Sequence, residues 1–155
     1  MSVKVNDKAP AFSLYASDKS KISLADFKGD NVVLLFFPLA FSSVCTEELC
    51  TMRDSLGEFT DLDARVMAIS GDSVFSLEKF KEQEGLTFPL LSDFNQEVSR
   101  QYGALYEEFV MGMRGVSKRA AFVVDKEGVI RYAEVLDDAG KQPNYVAIKE
   151  TLSTL

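Results

Sequence analysis

Asn31-Val32-Val33-Leu34-Leu35-Phe36-Phe37-Pro38-Leu39-Ala40-Phe41-Ser42-Ser43-Val44-Cys45-Thr46-Glu47-Glu48-Leu49-Cys50 is the stretch on which the fold turns. Its first part is an uninterrupted apolar run, the pattern of a strand buried on both faces. Its last part leads into a segment of helical period and holds both cysteines of the chain. A thiol at the start of a helix meets several N–H groups that lack intrahelical partners, and the positive end of the helix dipole. Both favour a thiolate over a thiol.

Around this stretch the chain alternates strand and helix signals. Phe12 to Ala16 and Lys21 to Ser23 flank the polar turn Ser17-Asp18-Lys19-Ser20 and predict an N-terminal β-hairpin after an irregular lead-in over 1–10. The run 32–37 predicts a strand, and residues 43–61 have helical period. Ala64 to Ser70 is a second apolar strand, closed by Gly71-Asp72. Ser73 can cap a helix over 74–84 that stops at Gly85. Pro89 to Leu91 predicts a short strand, and Asn95 to Tyr102 a short helix. Arg119 to Asp125 and Val129 to Glu134 flank Lys126-Glu127-Gly128 as a second hairpin. Pro143 to Leu155 reads as a closing helix with Pro143 in its first turn. This order predicts an α/β fold with a central sheet flanked by helices on both faces. No repeat or linker interrupts it, so residues 1–155 are expected to form one domain.

Composition narrows the chemistry. The chain has 155 residues, 46% of them hydrophobic, which suffices for a substantial core. Its net charge of −7 argues against nucleic acid as a partner. The first eight residues lack the apolar core of a signal peptide, and no stretch approaches the roughly 18 apolar residues of a membrane span. A cytoplasmic protein is expected, and there a cysteine pair is more often catalytic or metal-binding than structural. The chain contains no histidine. That removes Ser-His-Asp and Cys-His hydrolases and histidine general-base chemistry. Two cysteines without histidine cannot supply the four ligands of a structural zinc site within one chain. No metal or cofactor is expected, and any activation of Cys45 must come from cations and backbone dipoles.

Helical phase separates the two thiols. At about 100° per residue, Cys45, Leu49, Met52, Leu56 and Phe59 fall on one narrow stripe that faces the core. Cys50 lies about 140° away, on the polar side with Asp54, Gly57 and Asp61. In an intact helix the Cα atoms of Cys45 and Cys50 are about 8.7 Å apart, beyond the ~7 Å limit for a disulfide. A Cys45–Cys50 bridge therefore requires the first turn or more of the helix to unwind.

Pro38-Leu39-Ala40-Phe41-Ser42-Ser43-Val44-Cys45 resembles the peroxiredoxin signature: a proline, three residues, Thr or Ser, two residues, then the peroxidatic cysteine. Further segments resemble the same family. They are Lys8-Ala9-Pro10-Ala11-Phe12, Ala68 to Ser73, Phe88-Pro89-Leu90-Leu91-Ser92-Asp93, and Arg119 to Asp125. The aromatic run before Cys45 and the segment Phe88 to Phe94 are similar to the AhpE-type one-cysteine group. Cys50, five residues after Cys45, has the spacing of the bacterioferritin-comigratory (PrxQ) group.

The resemblance implies a thioredoxin-like fold with a central mixed β-sheet, and reduction of hydroperoxides by a Cys45 thiolate that becomes a sulfenic acid. It implies that Ser42 donates a hydroxyl and that the N–H groups of Val44 and Cys45 receive developing negative charge. It implies that Arg119 fixes thiolate and peroxide with charged donors, that Pro38 shields the pocket from water, and it offers Glu48 as a candidate to orient the arginine. It implies a thiol reductant, thioredoxin or another, and a homodimer. Each role has a plainer alternative at this stage: Ser42 or Ser43 as a helix cap, Pro38 as a strand end, Arg119 as a surface ion-pair residue, Glu48 as ordinary charge at a helix start, Cys50 as a core hydrophobe. Two routes stay open for the sulfenic acid, attack by Cys50 or by an external thiol. A thioredoxin-type thiol–disulfide carrier would show Cys-x-x-Cys, whereas four residues separate the cysteines here. A non-catalytic interaction domain is disfavoured by the intact set Pro38, Ser42, Cys45 and Arg119.

Overall fold

The computed structural model describes residues 3–155. The first two residues of the expected lead-in lie outside them. Seven strands form one mixed sheet: β1 (Ser13–Ala16), β2 (Lys21–Ser23), β3 (Asn31–Phe36), β4 (Ala64–Ser70), β5 (Leu90–Ser92), β6 (Arg119–Val124) and β7 (Ile130–Leu136), in the order β2-β1-β5-β4-β3-β6-β7. β3, β4 and β5 run parallel, and β6, β7, β1 and β2 add antiparallel pairings on either side. All six residues of β3 are buried, as expected for a central strand covered on both faces.

Alternation along β3 creates two cores. Val33, Leu35 and Phe37 pack with Leu49, Met52, Phe59, Leu77, Phe80, Ile148 and Leu152. These belong to α1 (Ser43–Asp54), α2 (Leu56–Thr60), α3 (Val74–Glu84) and α5 (Tyr145–Ser153). Val32, Leu34 and Phe36 face Phe12, Val98, Tyr102 and Ile130 on the other side, where α4 (Glu97–Gln101) and the N-terminal segment lie. The Phe36, Tyr102 and Phe122 rings pack at centroid distances of 5.2–5.7 Å. The lead-in is tied down, Asn6 donating to the Ile130 carbonyl and Ala9 to that of Gly128.

The thioredoxin-like arrangement, the N-terminal hairpin and nearly all element positions agree with the sequence reading. α3 spans the expected residues, with Ser73 Oγ accepting from Ser76 N–H at its start and Gly85 left-handed at its end. Two details differ. The helical period over 43–61 is one stripe but two helices. Ser55 breaks it at φ −109°, ψ 11°, its hydroxyl bonded back to the Thr51 carbonyl at 2.7 Å. Pro143 does not lie in the first turn of the last helix. Asn144 is the cap, its side chain accepting from Ala147 N–H, so Pro143 only leads in.

Candidate active site

The C-terminal end of β3 and the start of β6 define the site. Phe36 pairs with Ala120 across the antiparallel ladder, so Arg119 stands beside the point where the chain leaves β3 for Pro38. Arg119, Ala121 and Val123 share one face of β6 by strand alternation. Ala121 and Val123 belong to the same core cluster as Cys45. The register thus aims a guanidinium at the start of α1.

The segment from Leu39 to Ser42 is a tight turn. Phe41 adopts φ +71°, and Ser42 Oγ donates to the Leu39 carbonyl at 2.7 Å. The Phe41 ring packs edge-on against Phe80 at 5.1 Å. Asp72, at the end of the neighbouring parallel strand β4, accepts from Ala40 N–H at 2.9 Å and from Ser70 Oγ at 2.7 Å. The turn is therefore held from the sheet. Ser42 occupies the N-cap position of α1 in extended conformation, but its hydroxyl does not bond a helix N–H. Thr46 closes the first helical hydrogen bond, its N–H donating to the Ser42 carbonyl at 2.9 Å. The N–H groups of Val44 and Cys45 belong to the set that a helix start leaves without carbonyl partners.

Cys45 is 1% exposed and free. Arg119 Nη2 donates to Cys45 Sγ at 3.3 Å and to the Ala139 carbonyl at 2.9 Å. Its Nη1 donates to Glu48 Oε1 at 2.7 Å. The Arg119 and Glu48 side chains are 1% and 0% exposed, so solvent does not screen the pair. Glu48 is nevertheless pushed up to about 7: burial outweighs the opposing charge and hydrogen bond of Arg119. Among the described residues, its second oxygen, Oε2, and Arg119 Nε have no hydrogen-bond partner. Tyr145 approaches from α5, its hydroxyl 3.4 Å from the Glu48 carbonyl, and burial raises its phenol.

A cavity of about 260 Å³ opens onto Cys45. Pro38, Leu39, Ser42, Val44, Phe109, Arg119, Ala139 and Gly140 are among its walls. Pro38 is itself buried there. A larger surface groove of about 610 Å³, walled by Tyr15, Phe75 and Phe94, touches neither cysteine. Among the described residues no cluster of metal-ligating side chains occurs, and no helix is long and apolar enough to cross a membrane.

Six of the seven residues singled out in the sequence thus converge: Pro38, Ser42, Val44, Cys45, Glu48 and Arg119. Cys50 does not join them. It sits five residues on in the unbroken α1, and its setting differs from expectation. Rather than facing open solvent it is half-buried, with Sγ donating to Glu84 Oε2 at the end of α3 at 3.4 Å. Burial, then that hydrogen bond, raises its thiol above the ordinary cysteine value. The sequence reading had no assignment for Phe109, Ala139 or Asp72. A backbone carbonyl such as that of Ala139 carries no residue-type signal. Asp72 had one, an acidic residue closing the parallel strand beside β3.

The chain is similar to known proteins in sequence and in fold. The profile of the AhpC/TSA family matches residues 5–133. Alkyl hydroperoxide reductase E of Mycobacterium tuberculosis is 40% identical over 147 residues, covering 93% of this chain and 90% of that protein. Peroxiredoxin Bcp of Escherichia coli is 37% identical over 138 residues, covering 88% and 86%. The crystal structure of peroxidoxin BcpB from Mycobacterium tuberculosis superposes with a TM-score of 0.86 at 28% identity, covering 98% of this chain and 97% of that one. A buried thiol at a helix start, an arginine on it, and this breadth of similarity lead to one conclusion: the chain belongs to the AhpC/TSA family and is a peroxiredoxin, a thiol-dependent hydroperoxide reductase.

Proposed function

We propose that Cys45 is the peroxidatic residue and that Arg119, Ser42 and the Val44 and Cys45 N–H groups form its peroxide-binding set. The observation that carries this reading is the Arg119 Nη2–Cys45 Sγ contact of 3.3 Å inside a buried pocket. A hydroperoxide entering the cavity places its terminal oxygen on Sγ. The thiolate forms the S–O bond, the O–O bond breaks, and the leaving oxygen departs as water or an alcohol once protonated. Negative charge grows on that oxygen, and fixed donors in a dry pocket stabilise it. Arg119 supplies one, held in place by Glu48 and the Ala139 carbonyl. Ser42 can supply another by turning its hydroxyl from Leu39. Pro38 keeps water from the sulfur.

Cys50 then resolves the sulfenic acid after the first turns of α1 unwind. Its thiol forms the Cys45–Cys50 disulfide as the sulfenic oxygen leaves as water. Thioredoxin or a similar dithiol reduces the bridge, in keeping with a cytoplasmic setting and a homodimer. A second reading has a specific observation behind it: Cys50 Sγ is turned to Glu84, not to Cys45. In that case an external thiol attacks the sulfenic acid.

Stopped-flow mixing of reduced protein with hydrogen peroxide tests the assignment. Cys45→Ser should abolish the reaction, and oxidation no faster than that of free cysteine would overturn it. Mass analysis after one equivalent of peroxide separates the two resolving routes. Loss of two hydrogens marks the Cys45–Cys50 bridge, and gain of one oxygen marks a sulfenic acid awaiting an outside thiol.

A further inference from the structure

The middle of α1 is fastened to the end of α3 by one residue. Glu84, the last residue of α3, is met twice by α1. Cys50 Sγ donates to its carboxylate Oε2 at 3.4 Å. Arg53, one turn further along, donates through Nη1 to its backbone carbonyl. The other carboxylate oxygen, Oε1, accepts from Gln83 Nε2 at 3.3 Å, which fixes the plane of the group. Arg53 is anchored in turn by Asp54 Oδ1 at 2.9 Å. Glu84 is half-buried, so the contact is not merely a solvated surface pair.

We propose that Glu84 is a positioning residue that holds Cys50 docked on α3 as a thiol, and so sets how fast Cys50 can reach oxidised Cys45. The proposal rests on Cys50 being the resolving cysteine. Disulfide formation needs the Cys50 sulfur to lose its proton, attack the Cys45 sulfenic sulfur and displace hydroxide, which takes up the proton and leaves as water. Cys50 is oxidised and the sulfenic sulfur reduced, both to the level of the disulfide. Two features of the latch oppose this. A carboxylate that accepts from S–H favours the protonated form, and the thiolate is the attacking species. Unwinding α1 as far as Cys50 also breaks the Cys50–Glu84 bond. The charged groups facing Cys50 are Glu84 from α3 and Arg53 and Asp54 from α1. Arg53 alone favours the thiolate, and burial and Glu84 prevail over it. The sulfenic acid is therefore given a dwell time, during which an external thiol or a second peroxide can reach it.

Glu84→Gln keeps the shape and removes the anionic acceptor. In a Cys45→Ser background, alkylation of Cys50 by iodoacetamide should quicken roughly 3- to 10-fold near neutral pH, the equivalent of one hydrogen bond. Its pH midpoint should move down. Glu82→Gln, at an exposed neighbour, should change neither. In the otherwise wild-type protein, acid-quenched mass analysis should show the Cys45–Cys50 bridge forming faster with Glu84→Gln, and less sulfinic acid at excess peroxide. An unchanged alkylation profile overturns the latch. So does a bridge that forms at the same rate or more slowly in the variant. If neither protein forms the bridge, the resolving role of Cys50 falls, and the alkylation profile alone judges the docking of Cys50 on Glu84.

Discussion

Replacing Arg119 with alanine separates what the arginine does for folding from what it does for catalysis. The side chain donates to Glu48 at 2.7 Å, to the Ala139 carbonyl at 2.9 Å and to Cys45 Sγ at 3.3 Å. Arg119 and Glu48 are 1% and 0% exposed, so the loss is not softened by water. Above about pH 7, where Glu48 is ionised, breaking a buried ion pair by removing one partner costs about 3–5 kcal/mol, because the other charge is left uncompensated or must take up a proton. Against a total stability of about 5–15 kcal/mol, Arg119→Ala should remain folded at 25 °C with a clearly lower urea midpoint. Removing one preorganised donor at the reacting centre should cost about 10²–10³ in rate. The second-order rate constant with hydrogen peroxide, read by stopped flow, should fall by that factor. The double variant Arg119→Ala, Glu48→Gln removes the stranded charge and should recover about 1–3 kcal/mol, while the rate stays low. A rate within about threefold of wild type would refute the placement of Arg119 at the reacting centre. Recovery of rate together with stability in the double variant would reduce Arg119 to a structural ion-pair residue.

Other tests address the surroundings. Glu48 is raised from 4.5 to about 7 in the folded protein, so the folded state holds a proton that the unfolded chain has released. Its contribution to stability is fully present below the unfolded value and is lost as pH rises through about 7. At about 1.4 kcal/mol per pH unit, wild type should lose on the order of 3 kcal/mol relative to Glu48→Gln between pH 4.5 and 7. Urea unfolding of both proteins from pH 4.5 to 8 reads this, and a pH-independent difference would refute it. Gly71→Ala would bring a Cβ to 2.8 Å from the Gly115 carbonyl, on the segment that leads to Arg119. A loss of about 1–3 kcal/mol should appear in thermal melts, and an unchanged melting temperature would show that the loop gives way freely. In the oxidised protein, amide exchange over 43–50 should quicken if Cys45 and Cys50 bridge, since the intact α1 holds them too far apart. Protection equal to the reduced form would exclude the bridge.

Much of this arrangement is legible before folding is considered. The apolar run of β3, the Ser73 cap and Gly85 stop of α3, and the two hairpins are local signals, and local forces decide them. The break at Ser55 is less legible. The stripe through Leu56 and Phe59 continues across it, and the backbone departs from the helix at Ser55, where no glycine or proline marks the place. Pro143 and Asn144 compete for the start of α5, and the side chain that reaches Ala147 N–H wins. The loop bearing Ala139 was silent, because its contribution is a main-chain oxygen that any residue carries.

By itself the sequence determined that Cys45 begins a helix and points inward, that Cys50 lies about 140° around it, and that the two cannot bridge while the helix stands. Helical geometry is local, so these follow from spacing alone. The tertiary structure decided what each thiol meets. Arg119 reaches Cys45 across 74 residues of chain because β6 pairs antiparallel with β3, Ala120 opposite Phe36. Cys50 is covered because α3 ends against the polar side of α1 and sets Glu84 on its sulfur. Neither contact is written in the residues near the cysteines. Both arise where separate elements pack against the same helix, and packing is a property of the whole chain.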